Sequence, residues 1–191
     1  MGDVTICRAA MALALLAPML AWAGAREEVD AAIAKFAGAR SFSAAMDTGG
    51  TRVLNSRTDF IAPDRYRMTL PDGRVQVVVD GTMYVEGEDG VRSVRIPPEV
   101  LARWRERTRI TGLGDGMQAT DLGEDVIDGA STRKYGISRP GTDGSTMTMW
   151  IGVDGYPLQV RAPGVVDGQP VTTTIRYSRF NDPTLAIAPP R

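Results

Sequence analysis

From residue 54 onward the chain alternates. Leu54, Ser56, Thr58 and Phe60 take one side, with Asn55, Arg57 and Asp59 between them. Tyr66, Met68 and Leu70 alternate with Arg65, Arg67 and Thr69. Val75, Val77 and Val79 follow, then Met83 and Val85. Further on, Met147, Met149, Ile151 and Val153 alternate with Thr146, Thr148 and Trp150. Leu158 and Val160 alternate with Gln159 and Arg161, and Val171, Thr173, Ile175 and Tyr177 with Thr172, Thr174 and Arg176. A period of two with one apolar side predicts strands that bury one face. Eight Asp-Gly pairs, beginning at Asp72, Asp80, Asp89, Asp115, Asp128, Asp143, Asp154 and Asp167, punctuate this region. Both residues tolerate positive φ, so the pairs predict tight hairpins and a long antiparallel meander.

Two segments carry a helical period instead. In residues 26–38, Val29, Ala32, Ile33 and Phe36 share a face, acidic residues occupy the first turn, and Gly38 is a stop signal. Pro97-Pro98-Glu99 opens a second helix running to about Arg109, in which Val100, Leu101 and Trp104 share a face. The prediction is an α+β chain whose sheet has one apolar face and only two short helices to cover it. Either the sheet curls until its own side chains fill the interior, or a cavity remains between sheet and helices. Trp150 falls opposite Met149, on the side away from that interior.

The start of the chain reads differently. Residues 9–25 form an uncharged apolar run between Arg8 and Arg26, ending in Ala21-Trp22-Ala23 and Ala23-Gly24-Ala25. Both tripeptides fit a signal-peptidase site, so residues 1–25 read as a signal peptide and residues 26–191 as one mature domain. The rival reading, a transmembrane anchor, has a run at the short limit with Pro18 inside it. The only cysteine, Cys7, precedes the run, so the mature chain is expected to have no disulfide, no thiol chemistry and no lipidated N-terminus; no stable membrane anchor is expected.

Charge and composition exclude more than they suggest. Twenty-two basic residues face 23 acidic ones, giving net −1, which favours neither nucleic acid nor an anionic surface as partner. No histidine is present, removing the commonest general base and metal ligand. Lys35 and Lys134 have no serine motif beside them, the glycines of 112–116 lack a dinucleotide fingerprint, and Glu86-Gly87-Glu88-Asp89-Gly90 lacks the register of a calcium loop. The expectation is a non-enzyme without cofactor or metal.

Several short motifs, taken in order, resemble one family. A signal-like segment and a helix lead to Ser41-Phe42, then to Phe60-Ile61-Ala62-Pro63-Asp64-Arg65-Tyr66-Arg67-Met68 and Val79-Asp80-Gly81-Thr82-Met83-Tyr84-Val85. A Pro-Pro helix follows, then Trp150-Ile151-Gly152-Val153-Asp154-Gly155-Tyr156-Pro157-Leu158, Tyr177-Ser178-Arg179-Phe180-Asn181 and a closing proline pair. This order resembles the periplasmic outer-membrane lipoprotein carrier superfamily (LolA/LolB-like). The resemblance implies a curved open antiparallel sheet, a half barrel lidded by short helices, whose apolar concave face receives the acyl chains of lipoproteins or another lipid. Envelope proteins are the alternative partners, bound by a regulatory module of the same fold without a transport role. Carriers have an arginine, tied to lid closure, before the proline preceding the aromatic strand; this chain has Ala62. The residues expected to line the apolar cavity are Phe60, Tyr66, Met68, Leu70, Val77 and Met83 from the first half of the sheet. Leu101 and Trp104 come from the second helix, and Met147, Met149 and Ile151 from a later strand.

Overall fold

The computed structural model describes residues 17–49, 54–87, 90–108, 113–139 and 147–190. Helix α1 (Ala17–Ala37) is followed by β1 (Ser41–Gly49), β2 (Leu54–Ile61), β3 (Arg65–Thr69), β4 (Val75–Val79), β5 (Thr82–Gly87) and β6 (Gly90–Arg95). After α2 (Pro98–Thr108) come β7 (Gln118–Ile127), β8 (Ala130–Ser138), β9 (Met147–Gly152), β10 (Pro157–Val166) and β11 (Gln169–Ser178). All eleven strands form one antiparallel sheet in the order β6-β5-β4-β3-β2-β1-β11-β10-β9-β8-β7. The sheet is an open, curved half barrel: β6 and β7 end it and do not pair with each other. Chain order is broken only between β1 and β11, where the two meanders meet.

The hairpins follow the Asp-Gly chemistry. Asp80-Gly81, Asp128-Gly129 and Asp167-Gly168 all have positive φ at both residues, the backbone of type I′ turns, whose twist matches the flanking strands. The pair at Asp143 lies outside the described residues. β7 carries a bulge between Asp121 and Glu124, with Gly123 at φ 90°.

Helix α1 begins earlier than expected. Instead of starting at Arg26, it runs unbroken from Ala17, so the apolar run and the amphipathic helix are one element. Residues 17–25 are rich in Ala, Leu and Met, good helix formers, and Gly24 alone does not stop the helix. Glu27 and Glu28 therefore lie inside the helix rather than in its first turn.

Both helices cover the same face of the sheet. Ala25, Val29, Ala32 and Ile33 of α1 form a core with Ala119, Tyr135, Ile137, Met149 and Ile151. Ile96 and Leu101, with Val100, form a second core with Tyr66 and Val78, joined by Phe60 and Met83. A side-chain and backbone staple fixes α1: the Arg26 guanidinium donates to the Met117 and Leu113 carbonyls, and Asp30 accepts from the Leu113 amide at 2.9 Å.

A third core lies on the convex face. Here the expectation for β4 fails. Thr69 pairs with Val75 and Tyr66 with Val78, so Gln76 and Val78 share the concave face with Tyr66. Val75, Val77 and Val79 face outward, where Ile187 of the C-terminal segment packs on Val77 and Val79. The run Val-Gln-Val-Val-Val is apolar on both sides of the pleat, so periodicity cannot choose a face; the turn through Asp72-Gly73 sets the register. The C-terminal strap is anchored by Asn181, whose side chain accepts from the Arg40 amide at 2.7 Å and donates to the Tyr156 hydroxyl at 2.8 Å.

Trp150 occupies the convex face, as alternation requires. It is buried to 3% exposure, between Lys134 and Arg161 at 5.3 and 5.5 Å from the ring centroid, and its indole donates to Asp125 at 2.9 Å. Two cations on an aromatic face stabilise by about 0.5–1 kcal/mol each at exposed sites.

Candidate functional site

The registers arrange the concave face in rows across the strands. Phe42, Phe60, Tyr66, Val78 and Met83 form one row from β1 to β5. Its rings touch: Phe42–Phe60 and Phe60–Tyr66 centroids are each 5.1 Å apart. Phe36 of α1 lies 4.9 Å from both Phe42 and Tyr177, and Phe180 stacks on Tyr156 at 4.2 Å. This aromatic cluster closes one end of the concavity.

Beyond Tyr177 the next rows lack aromatic bulk. Ala44 pairs with Thr58 and Tyr177, and Thr58 with Met68; Met46 pairs with Ser56 and Ile175, and Ile175 with Val160. Thr48 and Thr173 follow, their hydroxyl oxygens 3.2 Å apart. Ala44, Met46, Thr58, Met68 and Ile175 belong to neither helix-bound core; Met46 is 36% exposed. These positions make a strip between the helix-covered arms, with small and flexible side chains along it. From Phe42 to Thr48 it spans about 20 Å at the rise of a strand.

Among the described residues this strip carries no charge. On β1–β5 and β9–β11 every Asp, Glu, Lys and Arg of the described alternation faces the convex side. Asp47, Arg57, Asp59, Arg67, Arg161 and Arg176 are examples. Several pair there: Arg176 with Asp47 at 3.7 Å and with the Gln159 side chain at 3.1 Å, and Ser43 with Asp59. Burial raises the Tyr177 phenol above its ordinary range, so it stays neutral near pH 7. Among the described strand residues, charges return to the concave face toward the edges, at Arg92 in β6 and at Asp121, Glu124 and Arg133 in β7 and β8, with Arg133 bonded to Asp121 at 2.7 Å.

The expected lining residues separate into groups. Phe60 sits in the aromatic row, while Met68 lies on the trough floor. Tyr66, Met83 and Leu101 are committed to the α2 core, and Met149 and Ile151 to the α1 core, with Met147 at its margin. Leu70 caps the end of β3, its backbone bonded to Arg74. Val77 is on the opposite face, as described above. Trp104 falls on α2, and its side chain lies outside the described residues. Ala44, Met46, Thr48, Ile175 and Tyr177 were absent from the expected lining. Val171-Thr173-Ile175-Tyr177 showed its alternation openly. β1 did not: in Ser-Phe-Ser-Ala-Ala-Met-Asp-Thr-Gly small residues stand on both faces, and the buried Ser43 is a convex-side residue.

A second hollow, of about 740 Å³, opens beside α1 between Glu28, Lys35, Arg133, Val126 and Val153. Three of its charged groups are engaged: Glu28 accepts from the Tyr135 hydroxyl and lies 3.7 Å from Arg133, and Lys35 donates to the Asp154 carbonyl.

The architecture is an open half barrel with helices on its concave face. The fold is shared with proteins of solved structure. Among solved structures, the chain is similar to the lipoprotein LppX of Mycobacterium tuberculosis, with TM-score 0.63 and 18% identity over 87% of this chain and 99% of that one. It is also similar to MucB, with TM-score 0.50 and 16% identity, covering 87% of this chain and 61% of MucB. A LolA-superfamily protein of Nitrosomonas europaea aligns more loosely, with TM-score 0.37 and 9% identity over 87% and 95%. No protein-family model matches the sequence, and no curated protein matches it. At these identities the likeness is one of fold.

Proposed function

We propose that this protein is a non-enzymatic carrier that holds a lipid acyl chain in its concave trough, working in the periplasm after export by an N-terminal leader. The observation that carries this reading is the uncharged strip from Ala44 to Thr173, left outside both helix cores on an otherwise well-covered face. Removing apolar surface from water is worth about 25 cal/mol per Å², or about 0.8 kcal/mol per buried methylene, so burial alone can retain a chain. The trough is long enough: one leaflet of a bilayer accommodates its acyl chains in about 15 Å, half the hydrocarbon thickness. Among the described residues no helix is long and apolar enough to cross a membrane. A regulatory module without transport needs no open trough, which makes the carrier the better reading.

Displacement of a fluorescent acyl probe by a series of monoacylglycerols of rising chain length tests the proposal. Affinity should rise about fourfold per added methylene until the trough is full, then level off. Met46→Asp, at an already exposed position, should abolish the rise without unfolding the protein. A flat series would refute the proposal.

A further inference from the structure

The half barrel has two open edges, and they differ. β7 carries a bulge between Asp121 and Glu124, with Gly123 at φ 90°, a kink of the kind that keeps a further strand from pairing. β6 has no such guard. Its residues Gly90 to Arg95 pair without a break with Gly87 to Thr82 of β5, and all of them are exposed. Val91 is 43% exposed and Val94 57%. The Ile96 amide donates to the Gly81 carbonyl at 2.8 Å, so Val94 and Arg92, which alternate with Ile96, also turn their backbone groups toward β5. Val91, Ser93 and Arg95 therefore aim theirs outward, where no strand of the sheet pairs with them.

We propose that β6 is a pairing edge for a second copy of this chain, joined strand to strand and antiparallel about a two-fold axis at Ser93. The strand is self-complementary in that register. Ser93 meets its own counterpart and Val91 meets Arg95 on either side of it, so the outward-facing residues form hydrogen-bonded pairs. Arg92 meets Val94, and the arginine stem covers the exposed valine. No like charges stand directly opposite each other. Arginines on an edge ordinarily discourage pairing. Here a counter-charge is in place. Arg95 and Glu86 are both exposed on the convex side, and neither forms an ion pair among the described residues. Glu86 pairs with Val91, so the second copy brings its Arg95 two strand spacings from Glu86. That is about 10 Å between Cα atoms, within the joint reach of the two side chains. The contact occurs twice by symmetry and closes over Val91. Such a two-fold pairing ends with two copies, whereas β6 on β7 would continue into an open chain.

Sedimentation velocity of the exported protein over a concentration series tests the pairing. The interface is small, so dimer should appear reversibly as concentration rises, with nothing larger. Ser93→Pro removes an outward-facing amide and no bond to β5, a position where an edge strand accepts proline, and should leave monomer. Arg95→Glu and Glu86→Arg each put like charges together at both contacts, and each alone should weaken the dimer about tenfold. Mixed in equal amounts, the two variants should dimerise as tightly as the unaltered protein, since every contact in the mixed pair is again Glu with Arg. Circular dichroism establishes that the three variants fold. Unaltered protein that stays monomeric, whether or not β6 takes a strand from some other protein, would overturn the proposal. So would growth beyond dimers, dimers that survive Ser93→Pro, or a mixture no tighter than its components.

Discussion

Replacing Tyr135 with phenylalanine isolates one bond in the seat of α1. Tyr135 is 1% exposed, and its hydroxyl donates to Glu28 across the interface between α1 and β8. Phenylalanine keeps the ring and its packing on Val29 and Met149 but removes that donor. A hydrogen bond to a charged acceptor contributes about 1.5–3 kcal/mol, and the half-exposed Glu28 carboxylate, which keeps Arg133 at 3.7 Å, places this one at or below the low end, about 1–1.5 kcal/mol. Urea unfolding should show that loss with an unchanged slope, and the melting temperature should fall by about 2–6 °C. The pH dependence supplies a second reading. Burial, followed by the bond to Glu28, raises the Tyr135 phenol well above its ordinary value of 10. A group whose folded pKa is raised contributes stability that is complete below its unfolded pKa and is lost as pH rises toward the folded value. The difference between the two proteins should therefore be constant up to about pH 9 and shrink above pH 10. Burial of Tyr177 adds a similar alkaline loss to both proteins, so it cancels in the comparison. A difference that widens above pH 10, or none at any pH, would refute this account of how α1 is held.

Three other outcomes follow from the packing. Ile187→Ala should cost about 2–5 kcal/mol in chemical unfolding, because it strips the strap from Val77 and Val79. Asp182, held down to about 2 by bonds from the Thr184 hydroxyl, from Arg179 and from the Thr184 amide, should confer stability above about pH 4 that is lost as pH falls toward 2. Asp182→Asn should flatten that part of an acid-unfolding curve. N-terminal mass analysis of exported protein should find Gly24 rather than Arg26 at the amino end, since Ala25 is 4% exposed in the α1 core; cleavage after Ala25 would contradict the seating of α1.

The sequence made the hairpins legible because Asp-Gly turns and period-two alternation report the same register independently. Phe60, Tyr66, Met68, Met83, Met149 and Ile151 reach one face for that reason. Three features escaped it, each for a physical cause. β4 is apolar on both faces because it is buried twice, under α2 and under the Ile187 strap, so alternation holds no information there. The strap itself, with Leu185 and Ile187 separated by one residue, is too short to announce a partner 100 residues away. The trough floor is hidden most completely, since Ala44 and Met46 matter for what they leave unfilled, and a sequence displays bulk more readily than its lack. Separating core from trough needed the registers: Met149 and Met46 look alike along the chain, yet one lies beneath α1 and the other stands clear of both helices.

Native mass spectrometry of the protein isolated under mild conditions from the cells that make it bears most directly on the carrier claim. The account requires a population carrying one acyl-bearing ligand of defined mass, released on unfolding and missing from Met46→Asp. Protein that is uniformly empty, or a bound lipid whose occupancy is the same in Met46→Asp, would contradict it.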